Sequence, residues 1–357
     1  MESNSYSIAL IGCGFFGTQL AHAFTQAGAT LIAVVDIDFQ RAENLAAQYQ
    51  CAAFNDTATM LSAKKPDLVL IATPNYAHYA PAFLALNANC NVFIDTPFAL
   101  SSAHCRQLCQ LGDEKSRRIF IGHLLRTLPG LQRVKAAIEQ GKLGKITVCR
   151  AIRARWITHL PNKEWWKLDA QLTGGELFHQ IHELDLLCWL FGEIDCVFAQ
   201  SANQAHLDSP DSLDVIQLLF RFKNNLLGSL EMGTAYRLHQ WGIQIHGELG
   251  AIEVNFFTSS VIFTDAQGKR EHIDLFEEFE ADLSLRETAK GTQQYNAANT
   301  LCPLWLTRAA EIEAQSVMEE LRLGNVSALR SHLASAINAA EAAKLSMMTQ
   351  QVIFVNQ

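Results

Sequence analysis

No apolar run in the 357 residues approaches the ~20 needed to cross a bilayer, which excludes a membrane-spanning helix. The opening residues, MESNSYSIALIG, lack the basic start of a signal peptide. Nine cysteines are present, yet none forms a CxxC, and the nearest pair, Cys105 and Cys109, has the helical spacing of two core thiols. An odd, scattered set of thiols suits a reducing compartment, so the expected location is the cytoplasm, with no membrane partner. Basic residues are also few: 28 Lys and Arg face 36 Asp and Glu, a net charge of −8, and their dispersion leaves no footprint for nucleic acid. Repeats and low-complexity tracts are absent.

What is present is enough apolar residue, 49%, to fill two cores in a chain of this length. The stretch YSIALIGCGFFGTQLAHAFTQAG passes from an apolar strand through Gly12, Gly14 and Gly17 into a helix. A G-x-G-x-x-G motif becomes informative in that strand-to-helix context. Gly12 permits the tight turn, Gly14 admits a pyrophosphate, and Gly17 lets the helix lie close to the sheet. The next strand, TLIAVVDID, ends in Asp36, placed to accept hydrogen bonds from the adenosine ribose. Its charge repels a 2′-phosphate, so the expected cofactor is NAD. Asp38 is read as a cap of the following helix, and a plain turn or cap role for either aspartate stays open.

Ligands of open α/β sheets sit outside the carboxyl ends of the strands. That edge carries Phe15 and Phe16 beside the glycines, Thr73, Asn75 and His78 after a third strand, and Asp95, Thr96 and Pro97 after a fourth. All are expected cofactor contacts, although Pro74 and Asn75 also suit an ordinary turn.

Beyond about residue 122 the pattern changes. A helix over about 129–140, a Trp-rich loop, a helix near 174–191 and several alternating segments between 193 and 265 predict an antiparallel sheet, and an Ala-rich helix follows at about 327–348. The expected architecture is α/β: an N-terminal Rossmann dinucleotide-binding domain (1–122) and a C-terminal α+β domain (123–357) with a large, mostly antiparallel open sheet. The last helix is a candidate to pack back toward the first domain. A broad sheet of this kind suits a homodimer or homotetramer.

Over nearly its whole length the chain resembles the glucose–fructose oxidoreductase/inositol dehydrogenase (Gfo/Idh/MocA) family, through GCGFFG, Asp36, IATPNYAHYAPAFLAL, IDTPFALS, HLLRTLPGL, GKLGKI and TGGELFHQIHELDLLCWLFG. The resemblance implies an NAD(P) domain, an α/β domain used in oligomerisation, and a pyranose-like or cyclitol substrate. It also implies a lysine, an aspartate and a histidine as the polar catalytic groups. The histidine aligns with His182, while Thr96 and Phe178 stand where the lysine and aspartate belong. Proton transfer therefore falls to His182, with His179 and Asp185 as its expected helical neighbours. The stripe Glu176, His179, His182, Asp185 rotates too far around a straight helix to hold one ion, so no metal is expected.

A threonine hydroxyl cannot replace an ammonium opposite a developing alkoxide. Lys163, Lys167, Arg126, Arg153 and Arg155 are the candidate replacements. Arg153 and Arg155 share one strand face, where a guanidinium pair could hold a carboxylate or sulfonate; an exposed charged face is the alternative. Trp156, Trp165 and Trp166 could form a platform for a sugar ring or simply pack the loop. Three functions are consistent with this set: an NAD-dependent oxidoreductase acting on a secondary hydroxyl or its ketone, an NAD-dependent glycosidase working through transient C3 oxidation, and a non-catalytic NAD-binding regulator.

Overall fold

The computed structural model describes residues 5–156, 169–207, 213–276, 304–324 and 333–355. They belong to two compact units, Met1–Leu124 with Gln293–Ala334, and Leu125–Thr292 with Ser335–Gln357.

The first unit is built on six strands: β1 (Ser7–Ile11), β2 (Thr30–Val35), β3 (Ala52–Phe54), β4 (Leu68–Ile71), β5 (Asn91–Asp95) and β6 (Ile119–Gly122), ordered β3-β2-β1-β4-β5-β6. Every pairing is parallel. Central strands of such sheets are covered on both faces, which is why LVLI in β4 is apolar at every position and wholly buried. The crossovers are helices α1 (Phe15–Gln26), α2 (Phe39–Tyr49), α3 (Thr57–Ala63), α4 (Tyr79–Asn87) and α5 (Ser102–Glu114). Asp56 and Ser101 cap α3 and α5 by accepting from the N–H of Thr59 and His104.

The second unit contains α6 (Pro129–Glu139), β7 (Ile146–Trp156), α7 (Ala170–Thr173), α8 (Glu176–His179), α9 (His182–Phe191), then β8 (Ile194–Ala202), β9 (Val215–Phe222), β10 (Leu227–Gly233), β11 (Ala235–Gly247), β12 (Gly250–Asn255), β13 (Ser260–Asp265) and β14 (Arg270–Asp274). With β15 (Ile353–Phe354) the strands form a sheet ordered β14-β13-β12-β11-β7-β10-β9-β8-β15, antiparallel except for the β7–β10 pair.

The expected second domain is not continuous. Helix α10 (Leu304–Leu323) belongs to the first unit, where it packs on α1 and buries Ala310, Ala314, Val317 and Leu321. Tyr6 donates to the Leu321 carbonyl at 2.9 Å. The Ala-rich helix α11 (Ser335–Thr349) belongs instead to the second unit, against β8 and α9, and buried Ser346 accepts from the Ala199 N–H at 2.9 Å. The first part of its expected span, 327–332, lies outside the described residues.

Candidate active-site residues in the two units

At the carboxyl edge of the first sheet the three glycines do three different things. Gly12 has φ +96°, and a Cβ there would stand 2.5 Å from the Ala72 carbonyl oxygen. At Gly17 a Cβ would stand 1.9 Å from the Gly12 oxygen, so α1 can approach the sheet only without one. A Cβ at Gly14 would meet, apart from its chain neighbours, no atom of the described residues within 4 Å. Gly14 is also the N-cap of α1, with no side-chain cap and no acid in the first turn. The leading N–H groups of α1, near Phe15 and half-buried Phe16, are thus available to an anion at the positive end of the helix.

Asp36 is held on this edge from both sides: the N–H of Cys13 donates to Oδ2 at 2.7 Å and the N–H of Asp38 to Oδ1 at 2.9 Å. Each carboxylate oxygen keeps a lone pair for a hydroxyl donor. Asp38 differs from its expected role. It occupies the N-cap position of α2, yet its carboxylate makes no capping bond and faces Arg41 at 3.1 Å. Burial and then the Asp36 charge push the Cys13 thiol up to about 12, which keeps it protonated inside the loop.

Thr73 and Asn75 follow the end of β4, Asp95 is the last residue of β5, and Thr96 and Pro97 follow it. Among the described residues the buried Thr73 hydroxyl has no hydrogen-bond partner, Asn75 is buried, and the Thr96 N–H donates to Asp95 Oδ1 at 2.8 Å across a turn whose Thr96–Pro97 bond is cis. His78 departs from the expectation of direct cofactor contact. Its side chain is interior, with Nδ1 2.7 Å from the Pro97 carbonyl and Nε2 2.9 Å from the Thr73 carbonyl. It therefore ties the two turns together from beneath. Burial holds the ring below its ordinary value, so the neutral imidazole, with one N–H, donates to one of these two carbonyls. Replacing it with phenylalanine removes that bond, worth about 1 kcal/mol, and is expected to weaken NAD binding roughly five-fold by calorimetric titration, while an unchanged Kd would show that the turns hold without it.

In the second unit the expected continuous helix over 174–191 is broken. After α8, Gln180 has φ −110° and ψ 45°, and α9 begins at His182. His179 and His182 therefore stand on separate helices, and the i, i+3 relation assumed for them fails. Among the described residues no three His, Cys, Asp or Glu side chains form a metal-binding group. Phe178 is buried, so the position aligned with an aspartate is filled by core.

His182 is half-buried at the first position of α9. Burial, and after it the Arg153 guanidinium, push its imidazole below the ordinary value, against the pull of Glu183 and Asp185. The lowered value favours the neutral ring, which can accept a proton. Asp185 does not simply orient it: Arg126 Nε donates to Asp185 Oδ2 at 2.8 Å and Nη2 donates to Oδ1, so both oxygens are engaged by one guanidinium. That pairing also commits Arg126, an expected substrate contact.

Arg153 and Arg155 do share one face of β7, as expected, but it is the face carrying buried Cys149 and Ala151. Arg153 Nη1 donates to Glu183 Oε1 at 3.0 Å and its guanidinium lies 4.5 Å over the Trp241 ring. Burial lowers the Arg155 pKa, with Glu176 pulling it back up; burial raises the Glu176 carboxyl, with Arg155 and Arg153 pulling it down. Trp156 stacks beneath Arg237 at 3.5 Å. Trp165, Trp166, Lys163 and Lys167 lie outside the described residues. Glu183 and Trp241 carried no motif that singled them out; the signal available was an acid beside His182 and an aromatic on an alternating strand.

Residues 6–123 match the family described as an oxidoreductase family with an NAD-binding Rossmann fold, and residues 131–253 match the Gfo/Idh/MocA C-terminal domain. The chain belongs to the Gfo/Idh/MocA family. Its first unit is thus an NAD-binding Rossmann domain, and the open Gly14 cradle, the uncapped start of α1 and the held Asp36 fit the pyrophosphate and ribose of that cofactor. The chain is 29% identical to the 2,7-anhydro-N-acetylneuraminate hydratase of Mediterraneibacter gnavus over 307 residues, 84% of this chain and 81% of that one. It is also 29% identical to the enzyme of the same name in Escherichia coli, covering 83% and 81%. A levoglucosan dehydrogenase solved with NADH and levoglucosan shares the fold at TM-score 0.82 and 19% identity, over 99% of this chain and 100% of that one. Among the described residues no helix is long and apolar enough to cross a membrane.

Proposed function

We propose that this enzyme uses NAD to oxidise a secondary hydroxyl of a carbohydrate, or to reduce the corresponding ketone, with His182 as the acid–base group. The observation carrying the reading is His182, half-buried at the first position of α9, where burial favours its neutral form, in a chain whose first unit offers an intact dinucleotide edge. NAD, when bound, supplies a hydride acceptor. The imidazole takes the hydroxyl proton as the C–H bond gives up its hydride, and returns it in the reverse direction. Thr96 contributes at most a neutral hydrogen bond where relatives of the glucose–fructose oxidoreductase type commonly carry an ammonium.

A second reading has a specific support: two relatives at 29% identity are named as hydratases of an anhydro sugar acid. In it the hydride is removed and later returned to the same carbohydrate. Oxidation to a ketone acidifies the neighbouring C–H, a base removes that proton, the ring or glycosidic C–O bond breaks, water adds, and no NADH accumulates. A carboxylate on such a substrate calls for a cation. Arg155 fits that task better than Arg153, which is already paired with Glu183.

A panel of sugars, cyclitols and carboxylated anhydro sugars, mixed with protein and NAD, separates the two. NADH accumulation is expected for the first reading; bond cleavage or hydration without NADH is expected for the second. Silence in both, with NAD binding intact, would overturn both in favour of a non-catalytic sensor. A cytoplasmic homo-oligomer completes the proposal: Leu219 and Leu227 stand 64% and 59% exposed on the outer face of the second sheet. Light scattering giving the mass of a single chain would contradict it.

A further inference from the structure

We propose that Glu183, Arg153 and Trp241 form a clamp that seats His182 and sets its acid–base strength, which makes Arg153 a positioning residue rather than a substrate contact. The inference rests on the acid–base role given to His182 above, and it adds residues which that role does not by itself require.

The clamp joins three elements. Arg153 on β7 and Trp241 on β11 are direct cross-strand partners, so their side chains rise from the same face of the sheet. The guanidinium lies 4.5 Å over the indole, which also stacks on Phe256 at 4.5 Å and 15° and meets Phe257 edge-on at 6.3 Å. From α9, Glu183 inserts a carboxylate that is 1% exposed, and one oxygen, Oε1, accepts both from Arg153 Nη1 at 3.0 Å and from Trp241 Nε1 at 2.8 Å. Its other oxygen, Oε2, is buried without a hydrogen-bond partner among the described residues. A buried carboxylate tied to two strands at the second residue of a helix leaves the first residue little freedom. The first residue is His182.

The clamp also places charge. The groups that act on His182 are Arg153 from the sheet and Glu183 and Asp185 from its own helix, with Arg126 engaging Asp185. Glu176 and Arg155 lie beyond Arg153, and the buried face of α11, which also packs on α9, presents alanine, isoleucine and serine and no charge. A cation beside an imidazole disfavours protonation and an anion favours it. Arg153 and Glu183 therefore pull His182 in opposite directions although they belong to one structural unit.

That opposition gives a test which needs no substrate. Proton NMR titration of His182 is carried out on the whole protein and on Arg153→Met, Arg153→Lys and Glu183→Gln. The midpoint is expected to rise by roughly half a pH unit or more in Arg153→Met, to stay near wild type in Arg153→Lys, and to fall in Glu183→Gln. Equal or absent shifts in Arg153→Met and Glu183→Gln would overturn the clamp. Should Arg153→Met fail to fold, Glu183→Gln decides alone, because loss of packing without loss of a favourable anion predicts no downward shift. Opposite shifts in a protein that turns over none of the panel would leave the clamp standing and remove the acid–base reading. Turnover with unmoved midpoints would do the reverse.

Discussion

Replacing His182 with alanine is expected to lower kcat/KM for the responsive substrate by about 10²- to 10⁴-fold, with NAD affinity unchanged in a calorimetric titration. The affinity is spared because the dinucleotide edge is built by Gly12, Gly14, Gly17 and Asp36 of the first unit. The pH profile carries the sign of the mechanism. A base must be unprotonated, and burial followed by Arg153 holds the His182 imidazole below its ordinary value. In the oxidising direction kcat/KM should therefore persist below pH ~6.5, the unperturbed histidine value, and fall only as the pH drops through the depressed one. The same depression makes folding less favourable under acid, since the unfolded chain binds the proton more readily than the folded one. In His182→Ala that acid limb should vanish from whatever activity remains. Undiminished turnover, or an acid limb identical to wild type, would remove His182 from the mechanism.

Two glycine substitutions separate folding from binding within one loop. In Gly17→Ala the new methyl meets the Gly12 carbonyl oxygen at 1.9 Å and its carbon at 3.0 Å, atoms of a backbone that cannot rotate away. Helix α1 must move off the sheet, and the expected loss is on the order of 3 kcal/mol, a fall in Tm of roughly 6–12 °C. In Gly14→Ala the methyl enters a space where, chain neighbours aside, no atom of the described residues lies within 4 Å. The fold should be untouched, whereas NAD affinity should drop at least about ten-fold, because the backbone must come close to the pyrophosphate there. Thermal denaturation and NAD titration on both variants check the pair. A destabilised Gly14→Ala, or one that binds NAD normally, would show that the diphosphate does not occupy that cradle.

Much of the first unit was legible because its determinants are local. A strand's apolar run, three glycines at fixed spacing and an aspartate at the end of the next strand each reflect a constraint felt within a few residues. Thr96 and Phe178 were equally plain as departures, since a missing ammonium or carboxylate is visible in the letters themselves. The family resemblance joined these marks and extended the reading over the second sheet.

The errors arose where a local rule met a distant partner. His78 follows a turn at the cofactor edge, yet β5 brings the Pro97 carbonyl beneath it and draws the ring inward. His179 and His182 fit a helical stripe until Gln180 leaves the helical region. Asp185 lies one turn from His182 and does pull it toward the charged form, yet Arg126, 59 residues earlier in the chain, engages both its oxygens, which the helix alone could not foretell. Glu183 meets Arg153 across 30 residues and Trp241 across 58, and α10 fills the groove on α1 although the chain between them builds another unit. By itself the sequence determined the dinucleotide edge and the two kinds of sheet, because periodicity and glycine spacing act over short stretches of chain. Tertiary structure alone decided which charges are paired and what surrounds His182, because a buried ion pair forms only where folding brings two remote segments within hydrogen-bond distance and removes the water between them.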